Sequence, residues 1–259
     1  MRPRNIIVRR SSPDWAHFDI EQSRQFLARI GLDETIIVDF AAIWDATFTI
    51  DYCRFRQRVK EIATRTLGAV RNAGLVELAD FKPRTCGDDD LIAFIDDDDW
   101  LHPDLFDAIR PGSSADGVIW GSVVVGDGFL GRKQDEVAQI ELRPINRWVF
   151  TNNYAVGGRL LKRLAAGAVI EHDHAHEAML RGKFQPAIVR RYLSATNKHP
   201  CSILSATHHL QTDFRHDPRT VIAQRRSALA EARLTVDTKW MAREVSDFLA
   251  LYDETLAQR

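Results

Sequence analysis

The sequence predicts an α/β fold whose sheet is mostly parallel in the N-terminal half and mixed in the second half, followed by a C-terminal helical segment. Three observations carry this. Asn5-Ile6-Ile7-Val8 and Leu91-Ile92-Ala93-Phe94-Ile95 are short unbroken apolar runs, the pattern of strands covered on both faces. The first run, a helix from Ser12-Pro13 to Gly31 and a second strand at Ile36 to Phe40 give the strand, helix, strand order of a parallel α/β start. Beyond about residue 213 the chain is rich in Arg and Glu and its apolar residues keep helical spacing.

At 259 residues the chain suits one large domain, or a domain with a smaller appendage. We divide it into residues 1–110, residues 111–212 as the second half of the same domain, and a helical extension over 213–259. A net charge of −1 gives no reason to expect a nucleic-acid partner, because following a phosphate backbone needs a basic excess or a concentrated basic face. Cys53, Cys86 and Cys201 are odd in number and form neither a CxxC pair nor a zinc-ligand pattern, so they read as reduced thiols. No apolar run approaches the ~20 residues needed to cross a bilayer, and Met1-Arg2-Pro3-Arg4-Asn5 leads into only a few apolar residues. The expectation is a cytoplasmic protein, with peripheral contact at a membrane left open.

Taken in order, the strand at Asn5 to Val8 is followed by the polar loop Arg9-Arg10-Ser11-Ser12-Pro13. Ser12-Pro13 can cap a helix whose apolar stripe is Phe18, Phe26, Leu27 and Ile30, ending at Gly31. Ile36-Ile37-Val38-Asp39-Phe40 reads as a second strand. In the helix of residues 51–73, Phe55, Val59, Ile62, Ala63, Leu67 and Val70 define a buried face, leaving most of Arg54, Arg56, Arg58, Lys60, Arg65 and Arg71 for solvent. Residues 75–90 are a turn-rich lead into the next strand.

That strand, Leu91 to Ile95, runs straight into Asp96-Asp97-Asp98-Asp99 and then Trp100-Leu101-His102-Pro103-Asp104. Four adjacent carboxylates repel one another unless a cation or a donor-rich ligand sits among them, and open α/β sheets bind ligands at the carboxyl ends of their strands. The chemistry indicated is a metal-assisted site; a solvated acidic turn or a surface Ca²⁺ loop is the plainer reading of the same residues. A short helix to Ile109, a break at Pro111-Gly112, a strand over Gly117 to Val125, a hairpin signal at Gly126-Asp127-Gly128 and strands at Ile140 to Leu142 and Trp148 to Phe150 follow. Thr151 to Val156 leads into a further helix, with Asn152 and Asn153 able to cap it. Glu171-His172-Asp173-His174-Ala175-His176-Glu177 is a second polar cluster, whose His172 and His176 would share a helix face without supplying a clear third zinc ligand. A strand and loop over Arg190 to Ser202 precede the last helix, where Trp240, Val245, Phe248, Leu249 and Tyr252 form a stripe that packs back on the domain or forms a homodimer.

The run Phe94 to Asp104 resembles the DxD region of GT-A-type glycosyltransferases, notably the family 2 group. The resemblance implies a GT-A-like Rossmann-type sheet, with residues 1–110 as the nucleotide-sugar-binding half and 111–212 as the acceptor-binding half. It implies a metal-dependent transferase that moves a sugar from a nucleotide-diphosphate donor to an acceptor hydroxyl on a glycan, a lipid-linked or another acceptor, with inversion favoured. Asp96 and Asp98 would hold Mn²⁺ or Mg²⁺ with the diphosphate, as hard cations take carboxylate and phosphate oxygens together. His199, ahead of His208 and His209, would complete the metal shell. Ser11, Asp39, Arg58, Asp96 and Asp97 would face the nucleotide sugar, Trp100 and Asn153 the acceptor, and Asp173, or else Glu171, would be the general base. For Asp39 a helix cap or loop salt bridge stands beside the nucleotide role. Two departures stand out: Arg9-Arg10 replaces the usual Pro-Thr-Tyr-Asn type of strand ending, and Gln57-Arg58-Val59 lacks the Asn of the Ala-Arg-Asn segment.

Other classes use similar residues. A nucleotidyltransferase also uses paired aspartates but announces a Gly-rich first loop, and Arg9-Arg10-Ser11-Ser12 has no glycine. A DxDx(T/V) phosphatase would use Asp96 and Asp98 as nucleophile and acid/base, yet Trp100 stands where Thr or Val is expected.

Overall fold

The computed structural model describes residues 3–11, 24, 25, 28, 33–35, 37, 38, 50–109, 116–126, 140–145, 149, 152–165, 182, 184–199 and 218–258. Its elements are β1 (Asn5–Arg10), α1 (Ile50–Gly68), β2 (Ala73–Glu77), β3 (Leu91–Asp96), β4 (Trp100–Leu101), α2 (Leu105–Ala108), β5 (Gly117–Gly126) and β6 (Ile140–Leu142). Then come β7 (Tyr154–Gly157), α3 (Gly158–Ala165), β8 (Pro186–Lys198), α4 (Pro218–Glu231) and α5 (Ala242–Ala257).

The strands form one mixed sheet in the order β2-β1-β3-β7-β5-β8-β4, with β6 beside the far end of β5. β1 is parallel to β2 and β3, and β5 is parallel to β8. β7 runs antiparallel between β3 and β5, so the direction changes just past the aspartate strand, as expected. In β1 and β3 successive side chains enter different clusters: Ile6, Val8, Ile92 and Phe94 pack with Leu160 and Leu161 of α3, while Ile7, Ala93 and Ile95 pack with Leu101, Leu105 and Phe106. Both faces are covered, which is why these runs show no polar alternation. A third cluster joins Phe55, Val59, Ile62 and Ala63 of α1 to Trp100 and to Phe248, Leu251 and Tyr252 of α5. Val245, Phe248 and Tyr252 of the C-terminal stripe therefore pack on this domain, with Trp240 and Leu249 partly buried against them.

Three element assignments change. The strand beside β1 is β2, which spans the end of the helix read over 51–73 and the start of the turn-rich lead at 75. Residues 34, 35, 37 and 38 are helical: the Asp33 carboxylate accepts the Thr35 N–H at 2.8 Å and the Asp33 carbonyl accepts the Ile37 N–H at 3.0 Å. A side-chain cap of this kind starts a helical turn, and three β-branched residues are too few to override it. Val149 is buried but carries no strand.

One glycine is dictated by sheet geometry. The β5–β8 register shifts around Gly121, where a Cβ would lie 2.7 Å from the Tyr192 ring. The shift lets β8 continue to Lys198 alongside β5 and brings residues 197–199 to the turn that follows β3.

Candidate metal centre

The site is built where three strands end. β1 and β3 are aligned rung by rung up to Arg10 and Asp96, and the Arg10 carbonyl accepts the Asp97 N–H at 3.1 Å. A turn closed by the Asp99 N–H on the Asp96 carbonyl, at 3.3 Å, reverses the chain into β4. β4 then pairs antiparallel with β8 through Trp100–Ala195 and Leu101–Ser194, which sets the end of β8 against the aspartates.

The four carboxylates have different surroundings. Asp96 accepts from Arg10 Nε and Nη2 at 2.8 and 2.7 Å. Asp97, 3 % exposed, pairs with Lys60 of α1 at 2.9 Å. Asp98 lies 3.1 Å from His199 Nε2. Asp99, 1 % exposed, accepts from Asn152 Nδ2 at 2.8 Å and from the Asn197 N–H at 2.9 Å. Asn197 Nδ2 also donates to the Asp98 carbonyl. Asn152 in turn donates to Thr196 Oγ1 at 2.7 Å and accepts from Ser122 Oγ at 3.0 Å.

Burial is the largest influence on Asp96, Asp98, Asp99 and His199. It raises Asp96 to about 6, with the Asp98 and Asp97 charges adding to the rise and Arg10 opposing it. It raises Asp99 well above the usual carboxylate range, and the charges of Asp98 and Asp96 push the same way. Asp98 goes down in spite of burial, because the His199 hydrogen bond and charge, with Arg56 and Lys198, favour its anion. His199 is fully buried and goes down, Arg56 and Arg225 adding to the effect while Asp98 opposes it. His199 Nε2 and Asp98 thus share one hydrogen bond, through which His199 favours the Asp98 anion and Asp98 opposes the fall of His199.

Asp96, Asp98 and Asp99 each present a carboxylate oxygen, and these oxygens lie within 4.8 Å of one another. Together they could hold a metal ion. A cation would offset the Asp98 and Asp97 charges that add to the rise of Asp96, and oxygen donors suit a hard divalent one. His199 adds a nitrogen beside Asp98.

The expected site residues fare unevenly. Asp96 and Asp98 are brought together with Asp99, and His199 Nε2 lies 3.1 Å from Asp98. Ser11 follows β1 directly, its hydroxyl donating to Glu77 Oε2 at 2.7 Å. Arg58 is half-exposed, 3.3 Å from Glu61, and lines a groove with Arg54, Leu251 and Glu254. Arg56, two residues earlier and so on the other side of α1, is the α1 arginine whose charge acts on Asp98 and His199. Trp100 is fully buried, edge-on to Phe248 at 5.0 Å, so it is a core residue with no face for an acceptor. Asn153 is 4 % exposed and its carbonyl accepts the Trp120 N–H at 2.9 Å, so it too presents no acceptor surface. Asp39, Glu171 and Asp173 lie outside the described residues, as do the histidines near them.

Sequence reasoning missed Arg10, Lys60, Arg56, Asn152 and Asn197. Arg10 was visible as the departure in the first strand's ending; Asn197 lay in a donor-rich stretch, but nothing in its spacing paired it with an aspartate 98 residues away.

No protein-family model matches the chain, and no curated protein matches it either. Among the described residues no helix is long and apolar enough to cross a membrane.

Proposed function

We propose that the protein is a GT-A-like glycosyltransferase that moves a sugar from a nucleotide-diphosphate donor to an acceptor hydroxyl, using Mn²⁺ or Mg²⁺. The observation that carries this reading is the cluster of Asp96, Asp98 and Asp99 at and just past the end of β3, with the His199 imidazole, from just past the end of β8 and 101 residues on from Asp98, at 3.1 Å from the Asp98 carboxylate. The sheet adds support, since a parallel β2-β1-β3 set joined to a mixed set through antiparallel β7 is the architecture expected from the resemblance.

Asp96, Asp98 and His199 would hold the cation, which when bound neutralises the diphosphate and makes it a better leaving group. Arg10 keeps Asp96 aimed across the β1–β3 ends. Glu77 occupies the end of the strand next to β1; its oxygens accept from Arg9 Nε at 2.8 Å and from Ser11. We read Glu77 and Ser11 as residues that would face the nucleoside. Arg56 supplies positive charge near the diphosphate position and replaces Arg58 in that role. The base stays assigned to Asp173, then Glu171: a carboxylate that accepts the acceptor's hydroxyl proton as the oxygen attacks the sugar.

Thermal-shift titration with UDP-, GDP- and dTDP-sugars, each with and without Mn²⁺, tests the reading. Stabilisation by one donor only when Mn²⁺ is present is the expected result. A donor that stabilises equally without any divalent cation would count against it, and stabilisation by free nucleoside triphosphate over every sugar donor would favour a nucleotidyltransferase.

A further inference from the structure

Resting on that metal reading, we infer that Asp99 is not a ligand but the positioning residue that fixes where Asp98 and His199 stand. Its two oxygens accept from two different parts of the chain: Oδ2 from Asn152 before β7, and Oδ1 from the main-chain N–H of Asn197 in β8. Asn197 closes the loop by donating its side chain to the Asp98 carbonyl, and His199, two residues on, meets the Asp98 carboxylate. Asn152 is itself fixed by Thr196 and Ser122, so the lock spans β5, the β7 entry and β8. Asp99 is 1 % exposed and Asn152 is 1 % exposed, which leaves this arrangement little freedom to swing toward a ligand. Partners beyond the ligands fix ligand orientation in metal sites, and losing one weakens metal binding by about 10- to 100-fold.

The hydrogen-bond chemistry offers a specific test. In Asp99→Asn the new amide faces either Asn152 Nδ2 or the Asn197 N–H, donor against donor, as long as Asn152 keeps the orientation in which it donates to Thr196 and accepts from Ser122. Exchanging the two side chains removes the conflict. With Asp99→Asn and Asn152→Asp together, the amide donates to the new carboxylate and its oxygen keeps the Asn197 N–H, while residue 152 accepts from Ser122 and Thr196. The negative charge is kept but moved off residue 99.

Mn²⁺ binding to the full chain, followed by calorimetry and by the electron paramagnetic resonance spectrum of the bound ion, reads the outcome. We expect Asp99→Asn to weaken Mn²⁺ binding by about 10- to 100-fold and to change the spectrum, and the exchanged double variant to recover most of both. A folded Asp99→Asn protein with parental affinity and spectrum would overturn the inference, and so would a double variant no better than the single one, which would make Asp99 a ligand. If Asp99→Asn does not fold, Asn152→Ala decides: unchanged Mn²⁺ affinity in the folded variant overturns the inference, and weakened affinity supports it. A parental protein that binds no Mn²⁺ would instead overturn the metal reading, and this inference with it.

Discussion

Arg10 and Asp96 are partners on the last rung of the parallel β1–β3 pair, and the guanidinium of one holds Oδ1 of the other with two nitrogens at 2.7 and 2.8 Å. Even so, burial and the neighbouring aspartates raise Asp96 to about 6. A proton therefore competes with a cation at Asp96, and Mn²⁺ affinity should fall as pH drops through about 6. Arg10→Gln removes the group that opposes the rise, so the midpoint of that fall should move to higher pH. Calorimetric titration across about pH 5 to 8 checks both statements.

The same carboxylate sets a stability prediction for the metal-free protein. An acid raised above its ordinary 3.8 favours the folded state below that value, and this contribution is lost as pH rises through about 6. Asp96→Asn should therefore melt slightly higher than the parent at pH 8, with the difference vanishing toward pH 4. The effect stays small because the Asp96 side chain keeps 37 % of its surface exposed and is screened by solvent. Melting curves of both proteins in a chelating buffer give the comparison; a gap that widens as pH falls would show the sign to be wrong.

His199 stands between the aspartate cluster and the core, its ring 6.1 Å from that of Phe55 and its Nε2 on Asp98. His199→Ala should weaken Mn²⁺ binding by about 10-fold or more while circular dichroism stays native. Parental Mn²⁺ affinity in this variant would remove the imidazole from the metal shell.

The C-terminal helix tests the packing. Phe248 is 2 % exposed and edge-on to Trp100, so Phe248→Ala should cost about 3 to 5 kcal/mol in urea unfolding. Val236, 89 % exposed, is the control, and Val236→Ala should stay within about 0.5 kcal/mol of the parent.

What could be read in the sequence follows the physics of each residue. β3 and its aspartates were legible because unbroken burial and like-charge crowding are local properties that a sequence displays directly. The α5 stripe was legible in its period, while its partner Trp100 was not: beside the aspartates an aromatic reads equally as a sugar platform or as core, and only the packing of Phe248 against it decides. The shift from Ile36–Phe40 to Ala73–Glu77 as the strand beside β1 turned on an Asp33 cap that composition does not weigh against β-branched propensity. Asn152 and Asn197 were illegible as partners of Asp99, since that network exists only once β8 lies beside β5.

The central claim is that this cluster binds a nucleotide diphosphate through a divalent cation. Calorimetric titration of the parent and of Asp98→Ala with the nucleoside diphosphate of the best-binding donor, with Mn²⁺ and with chelator, measures it most directly. Asp98→Ala removes one crowded carboxylate and should keep the fold. The account predicts binding by the parent only with Mn²⁺, and none by Asp98→Ala under either condition. Equal nucleotide affinity with and without the metal, or an Asp98→Ala chain that binds nucleotide and Mn²⁺ as tightly as the parent, would contradict it.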